Sequence, residues 1–178
     1  MSDMIEVVID SIRVSLMNQQ RIVILRERGF DRYLAIFVGI SEAEHLTIAL
    51  QEVEISRPLT YDLFKNVLDR LNARLLRVEV VALRDETFYG NIVMEMNGQV
   101  FNIDSRPSDA MNLAVRAHVP ILVAQDVMDK AGIIPEEDIS EDEQLEEGAG
   151  KEDAEGRLSV FEDFIDQLDL DDIGDEED

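Results

Sequence analysis

TFYGNIVMEMNGQVFNIDSRPSDAMNLAVRAHVPILVA, residues 87–124, is the stretch that decides the fold. Asn97-Gly98 stands between two runs rich in β-branched and aromatic residues. Both residues tolerate positive φ, so the pair predicts a tight hairpin joining strands over 87–96 and 99–104. A helix is predicted from about Arg106 to Ala117, with Pro107 in its first turn, where a missing N–H is harmless. Pro120 then breaks the chain before a short apolar strand at 121–124. A hairpin makes an antiparallel sheet, and a following helix must lay its apolar side on that sheet.

Working outward, Asp85-Glu86 reads as the turn from a preceding strand over 75–83, which holds Val78, Val80 and Val81. Upstream of it, Thr60 is positioned to cap a helix reaching about Asn72, with Leu63, Phe64, Val67, Leu68 and Leu71 on one face. Ser41 and Glu44 have capping-box spacing for a helix over 41–52. Residues 5–16, 21–25 and 33–38 are strand-like, with polar 17–20 as a hairpin break. The order is three strands, two helices, three strands, a helix and a strand. It predicts an α+β fold, with a largely antiparallel or mixed sheet and three main helices.

Toward the C-terminus the composition changes. The domain is expected to end near Ile134 and Pro135, giving a domain over 1–135 and an acidic appendage over 136–178. Residues 136–178 hold twenty-one Asp and Glu against Lys151 and Arg157, a net of −19. Residues 1–135 hold nineteen acids against fourteen bases, a net of −5. Val160, Phe161, Phe164, Ile165 and Leu168 fall at helical spacing within the appendage. They predict a short amphipathic helix over 159–168 that docks on a protein partner or on the body. The whole chain of 178 residues carries −24 and no cysteine, which removes disulfides, thiolate nucleophiles and thiolate metal sites. No apolar run approaches the ~18 residues of a membrane span. The N-terminal MSDMIEVVID lacks the basic and apolar stretches of a signal peptide. A cytoplasmic protein is expected, with no membrane partner.

No phosphate-binding glycine loop, nucleophile elbow or zinc-protease helix is present. The densest polar cluster is Asn102-Ile103-Asp104-Ser105-Arg106-Pro107-Ser108-Asp109, at a strand-to-helix junction where helix amides favour an anion. Asp109, Asn112 and Arg116 recur on one helical face. Asp104 with Asp109 has the chemistry to hold a divalent cation; the structural alternative is a capped helix with an Arg106–Asp109 pair. Chemistry alone favours that alternative. A second cluster, Arg57-Pro58-Leu59-Thr60-Tyr61-Asp62, also opens a helix. His45 and His118 lie far apart and read as ordinary histidines.

Four segments together resemble the bifunctional nuclease domain family: YLAIFVGISEAEHLTIAL at 33–50, RPLTYDL at 57–63, DETFYGNIVM at 85–94 and IDSRPSDAMNLAVRAHVPILV at 103–123. They occur in the family's order within roughly residues 5–134. The resemblance implies DNase and RNase activity, an α+β fold and self-association. It places Tyr61 where the family usually has His. On this resemblance Arg57, Thr60, Tyr61, Ser105, Arg106, Ser108 and Arg116 are expected to bind phosphate. Asp62, Asp104 and Asp109 are the expected catalytic carboxylates. Asp104 and Asp109 are the expected ligands of Mg²⁺ or Mn²⁺. The alternative is a non-catalytic, oligomeric module that binds an anionic ligand.

Overall fold

The computed structural model describes residues 3–15 and 20–135, all within one compact unit, Met1–Glu136. The segment expected as a helix over 159–168 lies outside the described residues. Eight strands form one sheet: β1 (Met4–Val14), β2 (Arg21–Glu27), β3 (Tyr33–Val38), β4 (Ala73–Arg84), β5 (Thr87–Met96), β6 (Gln99–Ser105), β7 (Ile121–Ala124) and β8 (Gly132–Ile133). The helices are α1 (Ile40–Leu50), α2 (Thr60–Arg70), α3 (Pro107–Ala117) and α4 (Gln125–Ala131). The fold is α+β.

The predicted turns explain the strand pairing. Asn97 and Gly98 adopt φ of 54° and 77°, and Asp85 and Glu86 adopt 46° and 60°. Such turns match the twist of the strands they join, and β4, β5 and β6 become a meander. A second meander, β1–β2–β3, is its counterpart. Strand β7 lies between them, and the order across the sheet is β6-β5-β4-β7-β1-β2-β3-β8. The β4–β7 pair is parallel and every other pair among the described residues is antiparallel. The sheet is therefore mixed.

The core joins both meanders. Val23, Leu25, Leu34 and Ile36 from one side, Val78, Val80 and Ile92 from the other, and Val123 between them are buried with Met111, Leu113 and Ala114 of α3 and Leu46 of α1. Helix α3 packs on α1, α2, β4 and β5, and so anchors the polar site described below.

Several sequence expectations need correction. Gly39 is the N-cap of α1, so Ser41 lies inside the helix and no side chain caps it. Leu59 is the N-cap of α2, so Thr60 is the first helical residue rather than the cap. The Asp62 carboxylate instead reaches back to accept the Leu59 N–H at 2.9 Å. On α2 only Leu68 is buried; Leu63, Phe64, Val67 and Leu71 are exposed. Helix α4 and strand β8 are additional to the predicted elements. Helix α4 has seven residues and β8 has two, too few to establish a hydrophobic period. Among the described residues no helix is long and apolar enough to cross a membrane.

Candidate functional site

Helix α3 begins where β6 ends, and Gly90 on the neighbouring strand fixes how closely. A Cβ there would stand 2.9 Å from both the Pro107 nitrogen and the Ser105 carbonyl oxygen. Only glycine lets the 105–107 connection lie directly on β5. Arg106 is then the N-cap of α3, with extended backbone (φ −71°, ψ 144°), and no side chain caps the helix. The first amides are disposed unequally. Pro107 has none, and the Asp109 and Ala110 N–H groups both donate to the Arg106 carbonyl at 3.1 Å. Among the described residues neither the N–H nor the hydroxyl of Ser108 has a partner.

The Arg106 side chain folds over the first turn of α3. Its Nε donates to Asp109 Oδ2 at 2.7 Å, and its Nη2 donates to Asp109 Oδ1 at 3.0 Å. The same Nη2 lies 2.8 Å from Glu42 Oε1 of α1. The Tyr61 hydroxyl of α2 donates to Asp109 Oδ1 at 2.7 Å. Segments from α1, α2 and α3 thus meet around the Arg106–Asp109 pair. Among the described residues Nη1 makes no hydrogen bond, and the Arg106 side chain is 64% exposed.

Two turns further along α3, Arg116 closes the cluster. Its Nε donates to Asp62 Oδ1 at 2.7 Å, its Nη1 to the Asn112 carbonyl and Oδ1 at 3.1 and 3.0 Å, and its Nη2 to the His45 carbonyl at 3.1 Å. The guanidinium also lies 5.4 Å from the centre of the Tyr61 ring, against which His45 packs edge-on. Asn112, fully buried, donates to the carbonyls of Glu42 and Ser108 at 3.0 Å each.

The electrostatics follow from these contacts. Burial pushes the Tyr61 phenol well above its ordinary range, and the hydrogen bond to Asp109 adds to this. Tyr61 is accordingly a hydrogen-bond donor rather than a base at neutral pH. For Asp109, burial opposes ionisation, but the hydrogen bonds from Arg106 and Tyr61 outweigh it and hold the carboxyl below the ordinary range. Asp109 and Glu42 together raise Arg106 further above its already high value. The cluster carries Glu42, Asp62 and Asp109 against Arg106 and Arg116, a balance of −1, with Arg106 at the first turn of α3 and Arg116 at its last.

Of the expected site residues, Tyr61, Asp62, Arg106, Asp109 and Arg116 come together here, with Ser108 beside them. Ser105 adjoins the cluster, but its hydroxyl is buried without a partner. Thr60 is exposed on the first turn of α2. Arg57 is exposed and lines a separate groove of about 520 Å³ with Asp62, Arg116 and His118. Asp104 is elsewhere: in strand register it stands opposite Asn91, which stands opposite Glu79, in a row across β6, β5 and β4. Two cluster members lie outside the expected set, Glu42 and His45. Their spacing of three on α1 was the available signal, since it puts both on one helical face.

For a divalent cation, Asp104 and Asp109 form an incomplete donor set. Asp104 is exposed on the sheet, while Asp109 already accepts from a guanidinium and a phenol. No three His, Asp or Glu side chains converge as a metal site among the described residues.

Fold and site together define a small α+β domain whose three main helices are tied by one arginine-rich polar cluster. The chain belongs to the bifunctional nuclease domain family, which it matches over residues 23–136, a span that contains every residue of the cluster. It is 36% identical over 169 residues to an uncharacterized protein of Mycobacterium tuberculosis, covering 94% of this chain and 97% of that one. It is 30% identical over 105 residues to bifunctional nuclease 1 of rice (Oryza sativa subsp. japonica), covering 57% of this chain and 32% of the rice protein. Bifunctional nuclease 2 of Arabidopsis thaliana is 32% identical over 105 residues, with the same shares.

Proposed function

We propose that this chain is a nuclease that hydrolyses phosphodiester bonds in DNA, RNA or both, with the substrate phosphate held at the entrance of α3. One observation carries the reading. Arg106 is held by two carboxylates at a helix N-terminus, yet its side chain is 64% exposed and its Nη1 makes no hydrogen bond among the described residues. A guanidinium already immobilised loses little side-chain freedom when it meets phosphate, and its fork suits phosphate oxygens. The names of the plant relatives support the substrate class.

In this reading Arg106 and Ser108 bind phosphate. Asp109 positions Arg106 and Tyr61, and Asp62 and Arg116 fix α2 against α3. Of the three expected catalytic carboxylates, Asp104 alone keeps both oxygens unengaged. It stands outside the cluster, opposite Asn91 on the sheet, so Asp104→Asn tests whether a base from that row serves the reaction. Metal dependence is a separate question, answered by the same assay.

The test is cleavage of end-labelled single- and double-stranded DNA and RNA by purified full-length protein, with Mg²⁺, Mn²⁺ or EDTA. Cleavage is expected, and Arg106→Ala and Asp104→Asn should reduce it. Absence of cleavage under every condition overturns the reading. A second reading, a non-catalytic module that binds an anionic ligand, is favoured by the closure of the inner cluster, since the bonds of Arg116 and Asp109 are all internal. Binding without cleavage would select it.

A further inference from the structure

A groove of about 590 Å³ opens beside the entrance of α3, and of the cluster described above only Arg106 and Ser108, with Pro107 between them, reach it. One wall is the end of β3 with Phe37, continued by Ile40 of α1. The other is the start of β5, with Thr87 and Phe88. Arg106 and Ser108 close one side. Strand β8 pairs with β3 only at Tyr33 and Leu34, and the groove lies beside the part of β3 beyond that pairing.

We propose that this groove is a nucleotide subsite, in which Ser108 and Arg106 take one phosphate and the apolar walls take the unpaired base attached to it. The proposal rests on the nuclease reading for the identity of the ligand, and it deepens that reading by making the preferred substrate single-stranded.

Two independent observations meet in the groove. The first is polar. Ser108 is only 8% exposed, yet its N–H and hydroxyl both lack partners among the described residues, and the residue lines the groove. An unpaired N–H and an unpaired hydroxyl on one residue at a helix N-terminus suit an anion. Arg106 Nη1 adds a third donor. The second observation is apolar. Phe37 and Ile40 are 59% and 52% exposed along the same groove. An exposed aromatic face beside a phosphate site matches the way single strands are held, by base stacking next to backbone contacts.

The charges set the balance between the two halves. Glu42 lies against Gly39 and already engages Arg106, and Glu86 lies at the groove. A phosphate shares the guanidinium with carboxylates, so the phosphate contact alone is weak and stacking must supply much of the affinity. Every base has a flat face, so the subsite tolerates any sequence. A paired base reaches it only after leaving its stack, which penalises duplexes.

The test uses full-length protein in EDTA and a fluorescent oligonucleotide, with its duplex, a 5′-mononucleotide and inorganic phosphate as competitors. The single strand should bind at least about tenfold more tightly than the duplex, since unstacking costs a few kcal/mol. Phe37→Ala should weaken the single strand by about fivefold to a hundredfold without lowering the melting temperature, since stacking one base is worth that much. Ser108→Ala should weaken strand and mononucleotide alike; Phe37→Ala decides the matter if that variant folds poorly. The strand and mononucleotide arms show whether the phosphate comes from a polymer or a free nucleotide. Equal affinity for strand and duplex, or unchanged affinity in Phe37→Ala, overturns the subsite even if the protein cleaves nucleic acid. Intact base-dependent binding with no cleavage would overturn the nuclease reading and leave the subsite standing.

Discussion

Arg57-Pro58 and Arg106-Pro107 are the same dipeptide ahead of two neighbouring helices, and the structure gives them different roles. In α3 the arginine is the N-cap and the proline is the first helical residue. In α2 the dipeptide stops short, with Leu59 as the cap. That shift decides everything downstream. Arg106 stands three residues before Asp109 and is locked to it. Arg57 stands five residues before Asp62, whose oxygens are turned to the Leu59 N–H and to Arg116. The dipeptide marks a helix entrance; its distance from the first turn determines whether its cation is held or free. The two arginines therefore stand in different surroundings, Arg106 against Asp109 and Glu42 and Arg57 in a groove with Asp62 and Arg116.

The largest effect should come from Arg116, because it holds Asp62 and so denies that carboxylate to Arg57. Its side chain is 6% exposed, and its removal leaves Asp62, Asn112 and the His45 carbonyl without their donor. Arg116→Ala is expected to destabilise the domain by about 3 kcal/mol, the low end for breaking a buried pair because Asp62 is partly exposed. Urea denaturation checks this. A loss below about 1 kcal/mol would mean that the inner cluster does not hold α2 on α3.

The next effect separates the two arginines directly. Arg106→Ala removes the guanidinium proposed to meet phosphate, and a charge-assisted hydrogen bond contributes about 1.5–3 kcal/mol. Oligonucleotide affinity should fall by about tenfold or more. If Arg57→Ala falls as far, the two entrances are equivalent and the comparison fails.

Asp109 sharpens the comparison through pH. Its folded pKa lies below the ordinary value of about 3.9. The stability it contributes is therefore present above that unfolded value and lost as pH falls through the folded one. Asp109→Asn should cost about 1 kcal/mol at pH 7, and the gap from the unaltered protein should narrow below about pH 4. Acid titrations monitored by circular dichroism measure it. A gap independent of pH would mean that the Arg106–Asp109 pair is not what holds the entrance.

The sequence was most informative where structure is local. Asn97-Gly98 and Asp85-Glu86 marked both turns of the second meander, because positive φ is a property of two adjacent residues. Pro107 located the start of α3 for the same reason. The site was legible only in part. Asp109 with Arg106 is a contact between residues three apart, and spacing revealed it. The Tyr61–Asp109 bond joins residues 48 apart, and Arg116–Asp62 joins residues 54 apart. No periodicity encodes such pairs. Glu42 was missed because its partner comes from another helix; the local signs were its spacing of three from His45 and Gly39, where a Cβ would collide with its carboxylate. The apolar stripe of α2 misled in the opposite way. Helical spacing shows that Leu63, Phe64, Val67 and Leu71 share a face, but not that the face is covered, and in this unit it is exposed.

The smallest effect is expected at Arg57 itself. It is exposed and makes no hydrogen bond or ion pair among the described residues, so Arg57→Ala should change stability by less than about 0.5 kcal/mol. Its groove also holds Glu52 and Glu54, whose charge opposes a phosphate there. Any contribution to nucleic-acid binding should therefore be long-range and screened by salt. At low salt Arg57→Ala should weaken oligonucleotide binding by about twofold, and near 0.15 M, where the screening length is about 8 Å, the difference should vanish. Arg106→Ala should keep most of its deficit under the same conditions, because a contact at hydrogen-bond distance is screened much less than one across solvent. Affinities measured across a salt series for both variants give the two slopes. A deficit at Arg57 that persists at high salt would place phosphate in direct contact with it and make the two helix entrances equivalent.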